Sequence, residues 1–330
     1  MTRMRFAIIL GDVYSTENLR LAKQLGCTDV IGRGPQITPE SEVWEFTDLV
    51  RIKRRVEDFG LRLDVLEDGP PIEKIMLDLP GRDEQLENFL KSLENLGAAG
   101  ILTIKPQHMP PGWQKVMTTS PSMSTRGGAT SRAFDYELVR NAPSTEYGVV
   151  TEEQMWENLA YFLKNVLPTA EEVGIRIALH PDDPPISPIQ GFARILRSIE
   201  AFDRMLEIYP SDNIGLLFCQ GCFAEMGVDT PSAIRHFGEK RKIFFAHFRD
   251  VKGAVPKFQE VFHDDGDNDM FQAMKAYYEV GFEGPMRPDH GPATEGEDRE
   301  ASLYQAGRTS KIFALGYMKG LAESVEKTPC

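Results

Sequence analysis

Residues Arg176 to Pro185 read RIALHPDDPP. Four strand-forming residues run into a histidine, two aspartates and three prolines. A buried strand thus ends on a group able to bind metal or move a proton, and the loop after it is stiffened. The fold depends on whether other strands end the same way. FAIIL (6–10), DVIGR (29–33), LRLDVLED (61–68) and GILTIKP (100–106) precede it as strand candidates. IRIALHP (175–181), NIGLLFC (213–219), IFFAHFRD (243–250) and GPMRPDH (284–290) complete a set of eight. Their near-continuous apolar character suits strands buried on both faces, as in a parallel sheet.

Amphipathic helices separate these runs. In RDEQLENFLKSLENLG, Leu86, Phe89, Leu90, Leu93 and Leu96 make a helical stripe, and Gly97 stands where a C-terminal glycine belongs. Thr151 and Gln154 have capping-box spacing ahead of MWENLAYFLKNVL. Eight strand–helix alternations predict an α/β fold, a (β/α)8 TIM barrel, as a single domain over 1–330. A long insertion, 107–150, follows strand four. It is rich in Pro, Ser, Thr and Gly without clear period, and is read as a loop or lid beside the active face rather than a linker, since Trp113 and Arg126 would be odd in a free tether.

Strand five ends at His180, strand six at Cys219, strand seven at His247 and strand eight at Asp289-His290. A barrel gathers its reactive groups at that end. Two imidazoles, a thiolate and a carboxylate make a complete metal shell of mixed hardness, open on these grounds to zinc, Fe²⁺ or another divalent ion. Asp182 and Asp183 are expected to orient a ligand histidine from behind. CQGC (219–222) has Cys-x-x-Cys spacing, but Cys219 closes a strand and no second pair completes a four-cysteine zinc site, so Cys222 is taken as incidental, with a ligand swap between the two sulfurs as the alternative. Lys105, Arg249, Lys252 and Arg287 sit near the same face and suit a carboxylate-bearing substrate. His263, in FHDDGDND (262–269), belongs to a turn-rich active-site loop ahead of a helix starting near Asp269.

The chain of 330 residues carries 37 basic and 50 acidic side chains, a net charge of −13. Such a surface repels nucleic acid and anionic membrane, so neither is expected as a partner. The four cysteines are too few and scattered for a disulfide framework. No signal peptide or membrane-spanning run is legible, which predicts a cytoplasmic protein.

HPDDPP, FCQG, FAHFRDV, FHDDGDNDM and MRPDHG resemble, in order, the blocks of the D-mannonate dehydratases of hexuronate catabolism. EVWEFTDLVRIKRRVEDFGLRLDVLED and LPGRDEQLENFLKSLENLGAAGI are similar to that family too. The resemblance implies a xylose-isomerase-like barrel that dehydrates a small-molecule sugar acid, D-mannonate, to 2-dehydro-3-deoxy-D-gluconate, as a homo-oligomer. It implies Mn²⁺ at His180, Cys219, His247 and Asp289. His290 and a downstream tyrosine, matched by Tyr304 with Tyr317 as rival, are implied as proton-transfer groups. TIKPQHMP departs from the family's aromatic-Asn-Phe-Met-Pro pattern and brings Lys105 and His108 to the site. A sugar isomerase or epimerase on the same barrel, or a sugar-acid-binding paralogue, are the competing readings.

Overall fold

The computed structural model describes residues 4–37, 42–109, 117–297 and 307–328. Eight parallel strands form the main sheet: β1 (Arg5–Phe6), β2 (Asp29–Gly32), β3 (Arg62–Leu66), β4 (Thr103–Ile104), β7 (Arg176–Leu179), β8 (Ile214–Cys219), β9 (Ile243–Phe248) and β12 (Pro285–Pro288). Their spatial order is β1-β12-β9-β8-β7-β4-β3-β2. The Thr28 amide donates to the Phe6 carbonyl at 3.0 Å, bringing the two edges together in a nearly closed barrel. All eight expected strands are present. Each is shorter than its apolar run.

The apolar runs serve two cores. Ala7, Ile9, Ile31, Val65, Ala178, Leu217, Phe244 and Phe245 form one small buried cluster inside the barrel. The intervening strand residues face outward into a larger cluster shared with the helices. Alternation between two dry environments explains why the strands read as continuous rather than alternating.

The helices are α1 (Thr16–Gln24), α2 (Phe46–Glu57), α3 (Glu73–Met76), α4 (Arg82–Ala99), α5 (Glu152–Val173), α6 (Ile199–Ile208), α7 (Gln220–Glu225), α8 (Thr230–Glu239), α9 (Met270–Glu279) and α10 (Arg308–Lys327). The predicted stripe of α4 is buried at Leu86, Phe89, Leu93 and Leu96, and the Phe89 ring meets Phe162 of α5 edge-on at 5.2 Å. The helix does not stop at Gly97. It runs on to Ala99, and Gly100, at φ 72°, takes the left-handed cap. Gly97 is small for another reason: a Cβ there would lie 2.9 Å from Val173, where α4 and α5 cross. Thr151 and Gln154 form the expected capping box on α5, and Asp269 caps α9.

Part of the insertion is ordered as a sheet. β5 (Ser120–Ser124) and β6 (Thr130–Asp135) pair antiparallel and continue through β11 (Lys257–Glu260) to β10 (Val251–Ala254), which follow barrel strand β9. Phe134 and Phe258 face each other with ring centroids 5.6 Å apart, over Ile189 and Val251. Trp113 and Tyr304 lie outside the described residues. Among the described residues, no helix is long and apolar enough to cross a membrane.

Candidate metal centre and active site

The four strands carrying the expected ligands, β12, β9, β8 and β7, are consecutive neighbours in the barrel. Their register sets the site. Cys219 lies directly across from His247, and His247 from Arg287, two residues before Asp289. Donor atoms of Cys219, His247 and Asp289 lie within 4.8 Å of one another, as do those of His180, Cys219 and Cys222. Cys219 is common to both groups. Its sulfur is 3.8 Å from Asp289 Oδ2, which lies 3.3 Å from His247 Nδ1.

The electrostatics favour ligand forms. Burial alone would raise the Cys219 thiol, but hydrogen bonds with Cys222, His180 and His247 hold it well below its ordinary value. Burial likewise opposes ionisation of Asp289, and His290, His247 and Arg287 outweigh it to hold that carboxyl well below the usual range. His180 Nδ1 is 2.6 Å from the Pro181 carbonyl; donation there leaves Nε2 for a metal. His247 is buried between two carboxylates, with Nε2 3.3 Å from Glu67 and Nδ1 3.3 Å from Asp289. A buried imidazole beside a low-lying thiol and carboxyl fits a divalent cation.

Around these donors stand groups that the sequence reading assigned differently. Asp182 accepts from the Leu196 amide at 2.8 Å, and Asp183 accepts from Arg249 at 3.1 Å. Their carboxylates therefore brace the loop and Arg249, and the Pro181 carbonyl, not an aspartate, orients His180. Cys222 lies beside the donors, where the alternative of a swap between the two sulfurs would put it: it is buried, within 4.8 Å of the His180 and Cys219 donor atoms and 3.6 Å from Arg249 Nη1. CQGC closes β8 and opens α7 at once, with Cys219 at the cap.

Arg287 donates to Glu67 Oε2 at 2.6 Å and to Asp289 Oδ1 at 3.0 Å. It thereby leaves Asp289 Oδ2 facing the other donors. Arg249 is 1% exposed and its guanidinium meets Asp183, Glu225 and Glu260 at 3.1, 2.8 and 2.8 Å. Lys252 points away, paired with Asp265. Lys105 is buried and donates to Gln107 at 3.1 Å. Burial lowers its pKa, while Glu67 and Asp68 pull it back up.

His263 is fully buried, its ring stacked 6.0 Å from Phe248, and burial takes it down to about 4. Burial does the same to His108, also to about 4. Neither histidine has a ring nitrogen with a hydrogen-bond partner among the described residues. His290 Nδ1 is 3.1 Å from Glu260, and its Nε2 is 3.5 Å from Asp289 Oδ1. Tyr317 of α10 is half-buried with its ring edge-on to Phe248. Arg126, from the insertion, grips Asp264 through two contacts of 2.9 Å and covers the Phe262 ring. It ties the second sheet to the loop bearing His263.

Two acids were missed. Glu67 follows β3 and could have been found by the strand-end rule that found His180. Glu260 ends β11 and carries no comparable local signal.

Known proteins similar to this chain point to one family. A sequence profile of the D-mannonate dehydratase family matches residues 3–147 and 142–329. Mannonate dehydratase of Thermotoga maritima is 33% identical, over 96% of each chain. Mannonate dehydratase 2 of Halalkalibacterium halodurans is 34% identical, over 86% of this chain and 88% of its own. The crystal structure of mannonate dehydratase from Streptococcus suis serotype 2 superposes with a TM-score of 0.87 at 29% identity, covering 100% of this chain and 97% of that one. A xylose isomerase domain protein from Planctomyces limnophilus shares the fold, with a TM-score of 0.62 at 13% identity over 99% of each chain.

Proposed function

The chain belongs to the D-mannonate dehydratase family, which makes it an enzyme of the carbon–oxygen lyase class, and on that premise we propose that it removes water from D-mannonate to give 2-dehydro-3-deoxy-D-gluconate. The observation that carries this reading is the convergence of His180, His247 and Asp289 on the low-lying thiol of Cys219. Those four residues would hold a divalent cation. Manganese follows from the family resemblance, while the mixed nitrogen, sulfur and oxygen donors also suit Fe²⁺. Such an ion supplies Lewis-acid stabilisation of charge developing on the substrate carboxylate as the C2 proton leaves.

The chain's own residues do the rest. His290, beside Asp289 and braced by Glu260, moves a proton between the substrate and the site. Tyr304 is the proposed second proton-transfer group. Lys105 and His263, both buried with polar atoms near the barrel mouth, are proposed to bind the sugar acid. Arg249 and Arg287, assigned to substrate by sequence, already carry carboxylate partners; we now propose that they hold the acidic residues of the site in place. The second sheet is proposed as a wall of the active site within a single barrel domain. The same reading takes the enzyme to be cytoplasmic and homo-oligomeric, in hexuronate breakdown.

The test is an assay of manganese-loaded protein against a panel of five- and six-carbon sugar acids, following the 2-keto-3-deoxy acid by colour reaction and mass. Metal-dependent conversion of D-mannonate with loss of one water supports the proposal. A product of unchanged mass would mean isomerisation or epimerisation, and no product from any acid would leave a binding protein.

A further inference from the structure

We propose that Glu260 is a positioning residue for the proposed reaction: its Oε1 lies 3.1 Å from His290 Nδ1 and holds that imidazole in one tautomer. The inference rests on the reading of His290 as the proton-transfer group. Donation of Nδ1–H to Glu260 leaves Nε2 as the nitrogen able to exchange a proton, on the edge that faces Asp289. A histidine with both nitrogens free to swap roles would spend part of its time in the wrong form. A carboxylate on the far nitrogen removes that choice.

Glu260 is itself held from two directions. The same Oε1 accepts from Arg249 Nη2 at 2.8 Å, and Arg249 is fixed in turn by Asp183 and Glu225. Burial would favour the neutral acid, but Arg249 and His290 outweigh it and hold the carboxyl at about 2. The backbone is also constrained. Glu260 ends β11, which pairs with β6 through Phe258 and Phe134. At the start of β6, Thr130 exchanges two backbone hydrogen bonds, of 3.0 and 2.8 Å, with Ala293, just beyond His290. The second sheet therefore grips both the carboxylate and the loop that carries its histidine. This gives the insertion after strand four a part in placing the catalytic histidine.

A residue serving only as one more counter-ion to Arg249 would not need the contact with His290, and the two roles separate by experiment. Glu260→Gln keeps the shape and removes the charge. In full-length, manganese-loaded protein it should lower kcat on D-mannonate about 10- to 100-fold, with KM within about twofold of wild type. Bound manganese should be unchanged, and Glu260→Asp, which restores the charge, should recover part of the loss.

Spectra of ¹⁵N-histidine-labelled protein, loaded with zinc as a diamagnetic ion and assigned with His290→Asn, give a second readout. The wild type should show His290 with its proton on Nδ1, and Glu260→Gln should shift or split that signal. Wild-type kcat in Glu260→Gln, or an unaltered His290 signal, overturns the inference. Failure of the wild type to dehydrate D-mannonate would remove the functional reading instead, and the spectra would still decide whether Glu260 fixes His290. If Glu260→Gln loses its fold, the wild-type spectrum decides: a His290 proton on Nε2 rather than Nδ1 overturns the inference.

Discussion

His180, Cys219, His247 and Asp289 close four barrel strands that are hydrogen-bonded neighbours, whereas Glu260 arrives on a sheet that leaves the barrel altogether. In the first region, strand register sets the spacing of the donors, and no loop conformation can compensate for a missing one. In the second, strand register in the barrel does not place the carboxylate directly. The geometry there depends on Arg249, on the β6–β11 pairing and on the tie from Thr130 to Ala293. On the proposed reading the difference separates two jobs: one region would decide whether a cation binds, the other how fast a proton moves once it has.

The sharpest way to break this division is Asp289→Ala. It removes one of four proposed donors and takes one carboxylate from Arg287 and His247, which keep Glu67, and should abolish tight manganese binding together with all turnover, as read by metal analysis after gel filtration. Breaking a buried ion pair on one side also costs about 3–5 kcal/mol, so circular dichroism must accompany the metal count. His290→Asn probes the other region. It should keep bound manganese and lower kcat by about 10² or more, because only proton transfer is lost.

The pH dependence of metal uptake sharpens the comparison further. In the metal-free protein burial and Arg287 favour a neutral His247, but Asp289 and Glu67 outweigh them and lift it to about 10. The ring is then protonated at neutral pH, and a metal takes only the neutral ring, so binding releases one proton. Cys219, already held low, releases none. Manganese affinity should therefore rise about tenfold per pH unit between about pH 6 and 8, measured by titration calorimetry in buffers of different ionisation heat. The smallest effect is expected from Arg126→Ala. Its pair with Asp264 is bidentate but 45% and 26% exposed, so its loss should cost at most about 1 kcal/mol in urea unfolding.

Much of this molecule could be read from its residues because the barrel strands are short apolar runs that end abruptly on a reactive group. NIGLLFC and IFFAHFRD fall almost on β8 and β9 for that reason. Glu67 shows the same signal at the end of LRLDVLED and was passed over, since an acid at a strand end looks like ordinary surface until Arg287 and His247 are seen beside it. The hairpin of β5 and β6 was not readable. SPSMS has little strand propensity, and β6 acquires its partner from β11, far along the chain. Asp182 and Asp183 were misjudged because adjacency in sequence suggested a grip on His180, while in space one meets the Leu196 amide and the other Arg249.

The most direct test of the account is a crystal structure of the manganese-loaded protein with anomalous data collected on both sides of the manganese edge. The account predicts a single strong anomalous peak bonded to Cys219, His247, Asp289 and His180. A fully loaded protein with its peak elsewhere, or with Cys219 outside bonding distance, would contradict it.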